Sequence, residues 1–142
     1  MAIKMRVLYN AGKKGLEQLA QAIRAEYELP VNAVDGKIPP AYPCDKERIV
    51  IVGVSAKSAA PENVRLFCGG LDKTRATNVA LLVDGSQDAA DALAEVVKAA
   101  GTNLVGTKVI ALGGFGPFGG AMTEEIKTDV IAWVKDMVAN CK

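Results

Sequence analysis

Histidine is missing altogether from these 142 residues. That absence removes histidine-based nucleophile triads, imidazole general bases and imidazole metal ligands together. Cysteine is scarce: Cys44, Cys68 and Cys141 are far apart, odd in number and form no Cys-x-x-Cys pair. Such thiols are expected to be reduced, in a cytosolic protein, and a zinc or transition-metal site is not expected. No run approaches the roughly 20 apolar residues that a membrane-crossing helix requires. Met1 to Arg6 lacks the apolar core of a signal peptide, so no targeting segment is expected. Charge of one sign is not in excess either. The formal net charge is +1, which recommends neither a nucleic-acid nor a membrane partner. Near-neutrality favours association, and a homodimer is compatible with it. No paired carboxylates suggest acid–base hydrolysis.

Apolar residues make up 50% of the chain and charged ones 23%, the balance of a globular soluble domain. A chain of this length suits one domain, here residues 1–142, able to bury roughly 68–70% of its unfolded surface. It contains no repeat and no low-complexity segment.

Short apolar runs alternate with helical patterns. Ile3 to Tyr9 reads as a first strand. Leu16, Leu19, Ala20, Ile23 and Tyr27 then recur at helical spacing, and Pro30 ends that helix. Val31 to Val34 is a short second strand closed by Asp35-Gly36. The proline-rich connector Lys37 to Glu47 follows, too proline-rich for a helix and near the minimum length for a parallel crossover. Ile49 to Val54 and Val79 to Val83 are continuous apolar runs, the pattern of strands covered on both faces. Pro61 opens a helix whose stripe is Val64, Phe67, Cys68 and Leu71. Ser86 is positioned to cap another, with Asp88 in its first turn, Leu93, Val96, Val97 and Ala100 inward, and Gly101 as its stop. Thr107 to Leu112 is a fifth strand. Thr123 caps the last helix, whose apolar face holds Ile126, Val130, Trp133, Val134, Met137 and Cys141. The order β-α-β-β-α-β-α-β-α predicts a three-layer, doubly wound α/β sheet with right-handed crossovers.

The stretch Tyr9 to Gly15 is the first candidate site. A strand, a glycine-containing turn and a helix in that order aim backbone N–H groups and the positive helix end at an anion. Gly12 and Gly15 let the backbone approach a phosphate, and Lys13 or Lys14 supplies charge. The same residues also describe an exposed turn with two solvated lysines. A side chain at Lys14 strains the backbone if φ is positive there.

The chain resembles the flavodoxin family in its short-chain form, over nearly the whole length. The resemblance rests on Arg6-Val7-Leu8-Tyr9 with its turn, Leu16 to Ile23, Ile49 to Gly53, Pro61 to Phe67, Asn78 to Gly85, and the final helix. It implies five parallel strands in the order 2-1-3-4-5, with a ligand crevice at the switch point between the first and third. It implies FMN as ligand, electron transfer as activity and a redox partner protein. The residues that correspond to the binding loops are Asn10, Ala11, Gly12, Lys13, Lys14 and Gly15 after the first strand. Ser55, Ala56 and Lys57 follow the third, and Asp84, Gly85 and Ser86 follow the fourth. With Glu17 set at the family's acidic position, Ala11, Lys13 and Leu16 fall where hydroxyls are usual, Lys14 where glycine is, and Gly15 where asparagine is. Tyr9 to Leu16 contains no Ser or Thr, and neither Ser55 to Ala60 nor Asp84 to Asp88 contains an aromatic.

Bland readings stand beside these. Ser55 to Lys57 also describe a small-residue loop, and Ser86 a helix cap. Tyr9 packs under a helix as readily as it stacks on a ligand. Tyr42 covers either crevice or sheet. Phe115 and Phe118, in the loop Gly113 to Gly120, read as a lid, a partner contact or loop anchors. Trp133 reads as core, and Cys44 as the most exposed thiol. Three functions remain open: an FMN-binding electron carrier, a flavin-free interaction module on the same scaffold, and an enzyme using another phosphorylated ligand.

Overall fold

The computed structural model describes residues 5–9, 14–27, 32–34, 47–56, 68–70, 76–110 and 124–141. Its strands are β1 (Met5–Tyr9), β2 (Asn32–Val34), β3 (Glu47–Ala56), β4 (Ala76–Gly85) and β5 (Asn103–Ile110). Its helices are α1 (Lys14–Tyr27), α2 (Gln87–Ala100) and α3 (Glu124–Asn140). Cys68 and Gly69 are helical and Gly70 is a turn residue. The strands lie side by side as β2-β1-β3-β4-β5, and every neighbouring pair is parallel. The class is thus α/β with a parallel sheet, as the alternation of strand and helix patterns implies.

The continuous apolar runs sort onto two faces. Ile49 and Ile51 of β3, Ala80 and Leu82 of β4, Val7 and Ile110 pack with Leu19, Ala20 and Ile23 of α1 and with Val130 and Val134 of α3. Val50, Val52 and Val54 of β3, with Val79, Leu81 and Val83 of β4, pack with Ala89, Ala90, Leu93, Ala94 and Val97 of α2 and with Cys68. Successive strand side chains point to opposite faces. A strand with helices on both sides therefore has no wet face, and its sequence shows no polar alternation. Trp133 and Met137 are half-buried against the α1–α3 face, together with Ile126, Ile131 and Cys141. Neither Cys68 nor Cys141 forms a disulfide bond.

Several element ends lie elsewhere than the residue pattern suggests. Ser55 and Ala56 are the last residues of β3, not loop, and they pair with Asp84 and Gly85. Asp84 and Gly85 accordingly end β4 inside the ladder rather than breaking it at Val83. Gly85 has φ 155°, a setting that glycine reaches freely. Lys14 and Gly15 form the first turn of α1, so the helix begins before Leu16 and Lys14 has helical backbone. β5 starts at Asn103 rather than Thr107.

β5 also carries an irregularity that no residue pattern announces. Val79 pairs with Leu104 and Ala80 with Gly106, so Val105 is an extra, bulged residue. The bulge resets the alternation. Leu104 and Val109 both pack on the α2 face although five positions apart, which a regular strand forbids. Beyond the bulge, Gly106, Lys108 and Ile110 face α3. A Cβ at Gly106 would lie 2.7 Å from the Met137 sulfur, and Lys108 Nζ meets the Asp129 carboxylate at 2.8 Å.

At the N-terminal ends of the strands, side chains tie the sheet. Asn78 is fully buried. Its Nδ2 donates to the Arg48 carbonyl at 2.8 Å, and its Oδ1 accepts from Asn103 Nδ2 at 2.7 Å. Buried Thr102 donates to the Ala76 carbonyl at 2.7 Å. One amide thus links β3, β4 and β5.

Candidate functional site

The opposite, C-terminal edge of the sheet collects the residues singled out in the sequence. β1 ends at Tyr9, paired with Gly53. β3 runs on through Val54, Ser55 and Ala56, now paired with Val83, Asp84 and Gly85 of β4. The ends of β3 and β4 therefore overhang the end of β1. The chain leaves β1 and begins α1 at Lys14, and its order reverses at this strand, since β1 has β2 on one side and β3 on the other. Crevices at such reversal points are where open α/β sheets take ligands.

Two helices begin at this edge. The first N–H groups of any α-helix have no partner within it, and they carry the positive end of the helix dipole. In α1 those groups start with Lys14 and Gly15. In α2 the first turn is capped from within. Ser86 has extended backbone, φ −108° and ψ 158°. Its Oγ accepts from the Ala89 N–H at 3.1 Å, and its carbonyl accepts from Ala90 N–H at 3.2 Å. Asp88 stands in that turn, and Gln87 Nε2 donates to Asp91 at 2.8 Å. Ser86 is the helix cap that its position before Asp88 suggests, with a Schellman-like stop at Gly101, φ 97°, at the far end.

Of the twelve candidate residues, seven are described. Ser55 and Ala56 pair with Asp84 and Gly85 as adjacent strand ends, Ser86 follows directly, and Lys14 and Gly15 open α1. Asp84 and Ser86 are half-buried and Gly85 is exposed. Asn10, Ala11, Gly12, Lys13 and Lys57 lie outside the described residues, as do Tyr42, Cys44, Phe115 and Phe118. The described donors suit an anion better than a ring. Backbone amides at a helix end are donors suited to a phosphate, whereas Asp84 to Ser86 contain no aromatic side chain. The described clefts lie elsewhere. One of about 740 Å³ is lined by Glu124, Glu125, Ile126, Thr128, Asp129 and Ala132 of α3. Among the described residues, no group of three or more His, Cys, Asp or Glu is placed to hold a metal ion. None of their helices is long and apolar enough to cross a membrane.

The buried Asn78–Asn103 pair is the polar feature that sequence reasoning missed. A lone asparagine at the start of an apolar run looks like a strand boundary, and its partner lies 25 positions away.

No family model matches the sequence, and no curated protein does. Solved structures do resemble the fold. The flavodoxin of Streptococcus pneumonia TIGR4 superimposes with a TM-score of 0.65 at 15% identity, covering 95% of this chain and 98% of its own. A short-chain flavodoxin associated with a PDU bacterial microcompartment gives 0.70 at 14% identity, covering 96% and 97%. At these identities the likeness speaks to the fold, and the fold is flavodoxin-like.

Proposed function

We propose that residues 1–142 are one flavodoxin-like domain of the cytoplasm that binds FMN and passes electrons to a redox partner protein. The observation that supports this most is the shared edge. The first turn of α1 and the paired ends of β3 and β4 lie together at the reversal point of a parallel sheet. The order β2-β1-β3-β4-β5 is the doubly wound one that the reading requires.

In this reading the phosphate rests on backbone amides of Asn10 to Gly15, with Gly12 and Gly15 admitting close approach and Lys13 and Lys14 supplying charge. Charge-assisted contacts offset the hydroxyls that Tyr9 to Leu16 lacks. Ser55, Ala56 and Lys57 line one side of the crevice. Backbone groups of Asp84, Gly85 and Ser86 meet the ring, since the Ser86 hydroxyl oxygen already serves α2. The flavin, when bound, supplies the electron-transfer chemistry, and the protein orients it.

The purified protein is expected to be yellow or to quench FMN fluorescence on titration. Lys13→Ala with Lys14→Ala should then weaken FMN binding by about 1–3 kcal/mol, roughly 5- to 150-fold in Kd. A colourless protein that leaves excess FMN fluorescence unchanged overturns the reading. That result would favour a flavin-free interaction module on the same scaffold. The missing hydroxyls near α1 and the missing aromatics in Ser55 to Ala60 and Asp84 to Asp88 support this second reading.

A further inference from the structure

The two outer strands of the sheet differ in length: β2 has three residues and β5 has eight. β5 pairs with β4 on one side, and among the described strands none lies on its other side. An outer strand offers a row of unpaired N–H and C=O groups to any second chain. The danger of such pairing grows when the strand is long, rich in β-formers and poor in charge. Asn103–Ile110 reads Asn-Leu-Val-Gly-Thr-Lys-Val-Ile, so Lys108 is its one charge. It holds no proline, another residue that blunts an edge.

The bulge decides where Lys108 goes. Leu104 packs on the α2 face, and regular alternation from Leu104 would carry position 108 to that same face. The extra residue at Val105 carries it to the α3 face instead. There its Nζ meets the Asp129 carboxylate at 2.8 Å, with the Lys108 side chain 20% exposed and that of Asp129 65% exposed. The ladder partner of Lys108 on β4 is the buried Leu82. A further strand laid along β5 would set a side chain against Lys108 from the open flank and remove much of the water left to the ion pair. Taking a charged group further out of water without a new partner costs free energy. The bulge is a second obstacle, since it breaks the even spacing of the ladder and raises the local twist.

We propose that Lys108, turned toward α3 by the bulge at Val105, guards the open edge of the sheet against pairing with a second copy of this chain. Asp129 steadies the ammonium, and the charge itself is the barrier, as with the charged residues that interrupt apolar strands elsewhere. The edge is independent of the flavin reading and is tested on the full chain without ligand.

In the wild type, hydrogen exchange should be fast at the β5 amides that point away from β4 and slow along β4. Lys108→Val removes the one charge and leaves an apolar, β-branched edge. In sedimentation from about 10 µM to about 1 mM it should form larger species at concentrations roughly tenfold or more below any at which the wild type does. Within those species the outward β5 amides should exchange roughly tenfold or more slowly. Lys108→Thr, an uncharged β-former at home in water, should do the same more weakly, and it decides the matter if Lys108→Val does not fold. Lys108→Arg keeps the charge and should match the wild type. Asp129→Ala breaks the ion pair, keeps the ammonium and should match the wild type too, whereas association caused by a loosened α3 would appear in it as well. Outward amides already slow in the wild type, uncharged variants no more associated than the wild type, association without slowing at β5, or equal association of Asp129→Ala would each overturn the proposal.

Discussion

The two ends of the sheet are built differently. At the N-terminal end, Asn78, Thr102 and Asn103 spend their side chains on holding β3, β4 and β5 in register. At the C-terminal end, the described strand tips are joined by the ladder itself, Ser55 to Asp84 and Ala56 to Gly85. There the Ser86 side chain caps α2. The first end holds the Asn78 and Thr102 side chains buried and satisfied. The second leaves helix-end amides and half-exposed residues facing outward. In an open parallel sheet, ligands gather at the strand C-termini. The side chains that hold the sheet in register at the N-terminal end are thus distinct from the strand tips at which the proposed ligand would sit.

The largest effect should come from Asn78→Ala. The substitution removes two hydrogen bonds made by a fully buried side chain and leaves the part-buried Arg48 carbonyl and Asn103 amide without that partner. An unsatisfied buried polar group costs about 1–3 kcal/mol, so the loss should be about 2–4 kcal/mol, read as a lower urea midpoint at unchanged slope. Any FMN affinity of the folded variant should match wild type. A loss below about 0.5 kcal/mol would erase the contrast between the two ends.

Thr102→Val should cost less, about 1–2 kcal/mol, because one buried hydrogen bond is lost while the volume is kept. Its acceptor, the Ala76 carbonyl, begins β4. Native-state hydrogen exchange should therefore quicken first at the N-terminal residues of β4 and β5, and last at Val83 and Asp84. Uniform quickening along β4 would show that the tie is not local.

The fold was largely legible in the residues because its two strongest signals are physical necessities. Ile49 to Val54 and Val79 to Val83 lack polar alternation since both faces are covered. The stripe of Leu19, Ala20 and Ile23 is apolar since it meets the sheet. What escaped depends on distant partners. Ser55, Ala56, Asp84 and Gly85 have loop-like chemistry yet are strand, because each finds its ladder partner across β3 and β4. Gly15 is a weak helix former and Lys14 puts a positive charge at the positive helix end, yet both are recruited by a helix whose packing includes Leu19, Ala20 and Ile23. Asn103 to Gly106 looked unlike strand because the bulge at Val105 breaks the alternation by which strands are recognised. The candidate site was legible in position only. The order of elements brings its segments to one edge, but the residues that would identify a flavin site by chemistry, hydroxyls and aromatics, are not in the sequence.

Ser86 offers the smallest and most discriminating test, because it belongs to both descriptions at once. As a helix cap it holds the Ala89 N–H. Ser86→Ala should therefore cost about 1 kcal/mol of stability. Aspartate caps as well as serine does, so Ser86→Asp should leave stability within about 0.5 kcal/mol of wild type. The two variants thus part on stability. They should part the opposite way on ligand. In the FMN reading, residues 84 to 86 meet the ring through backbone groups, so Ser86→Ala should bind like wild type. Ser86→Asp adds a negative charge beside Asp84 and should weaken an anionic ligand a few-fold, an effect that falls as salt rises. If Ser86→Ala instead loses most of its FMN affinity while keeping its fold, the hydroxyl is a ligand contact as well as a cap. The C-terminal edge would then spend side chains on function as the N-terminal edge spends them on structure.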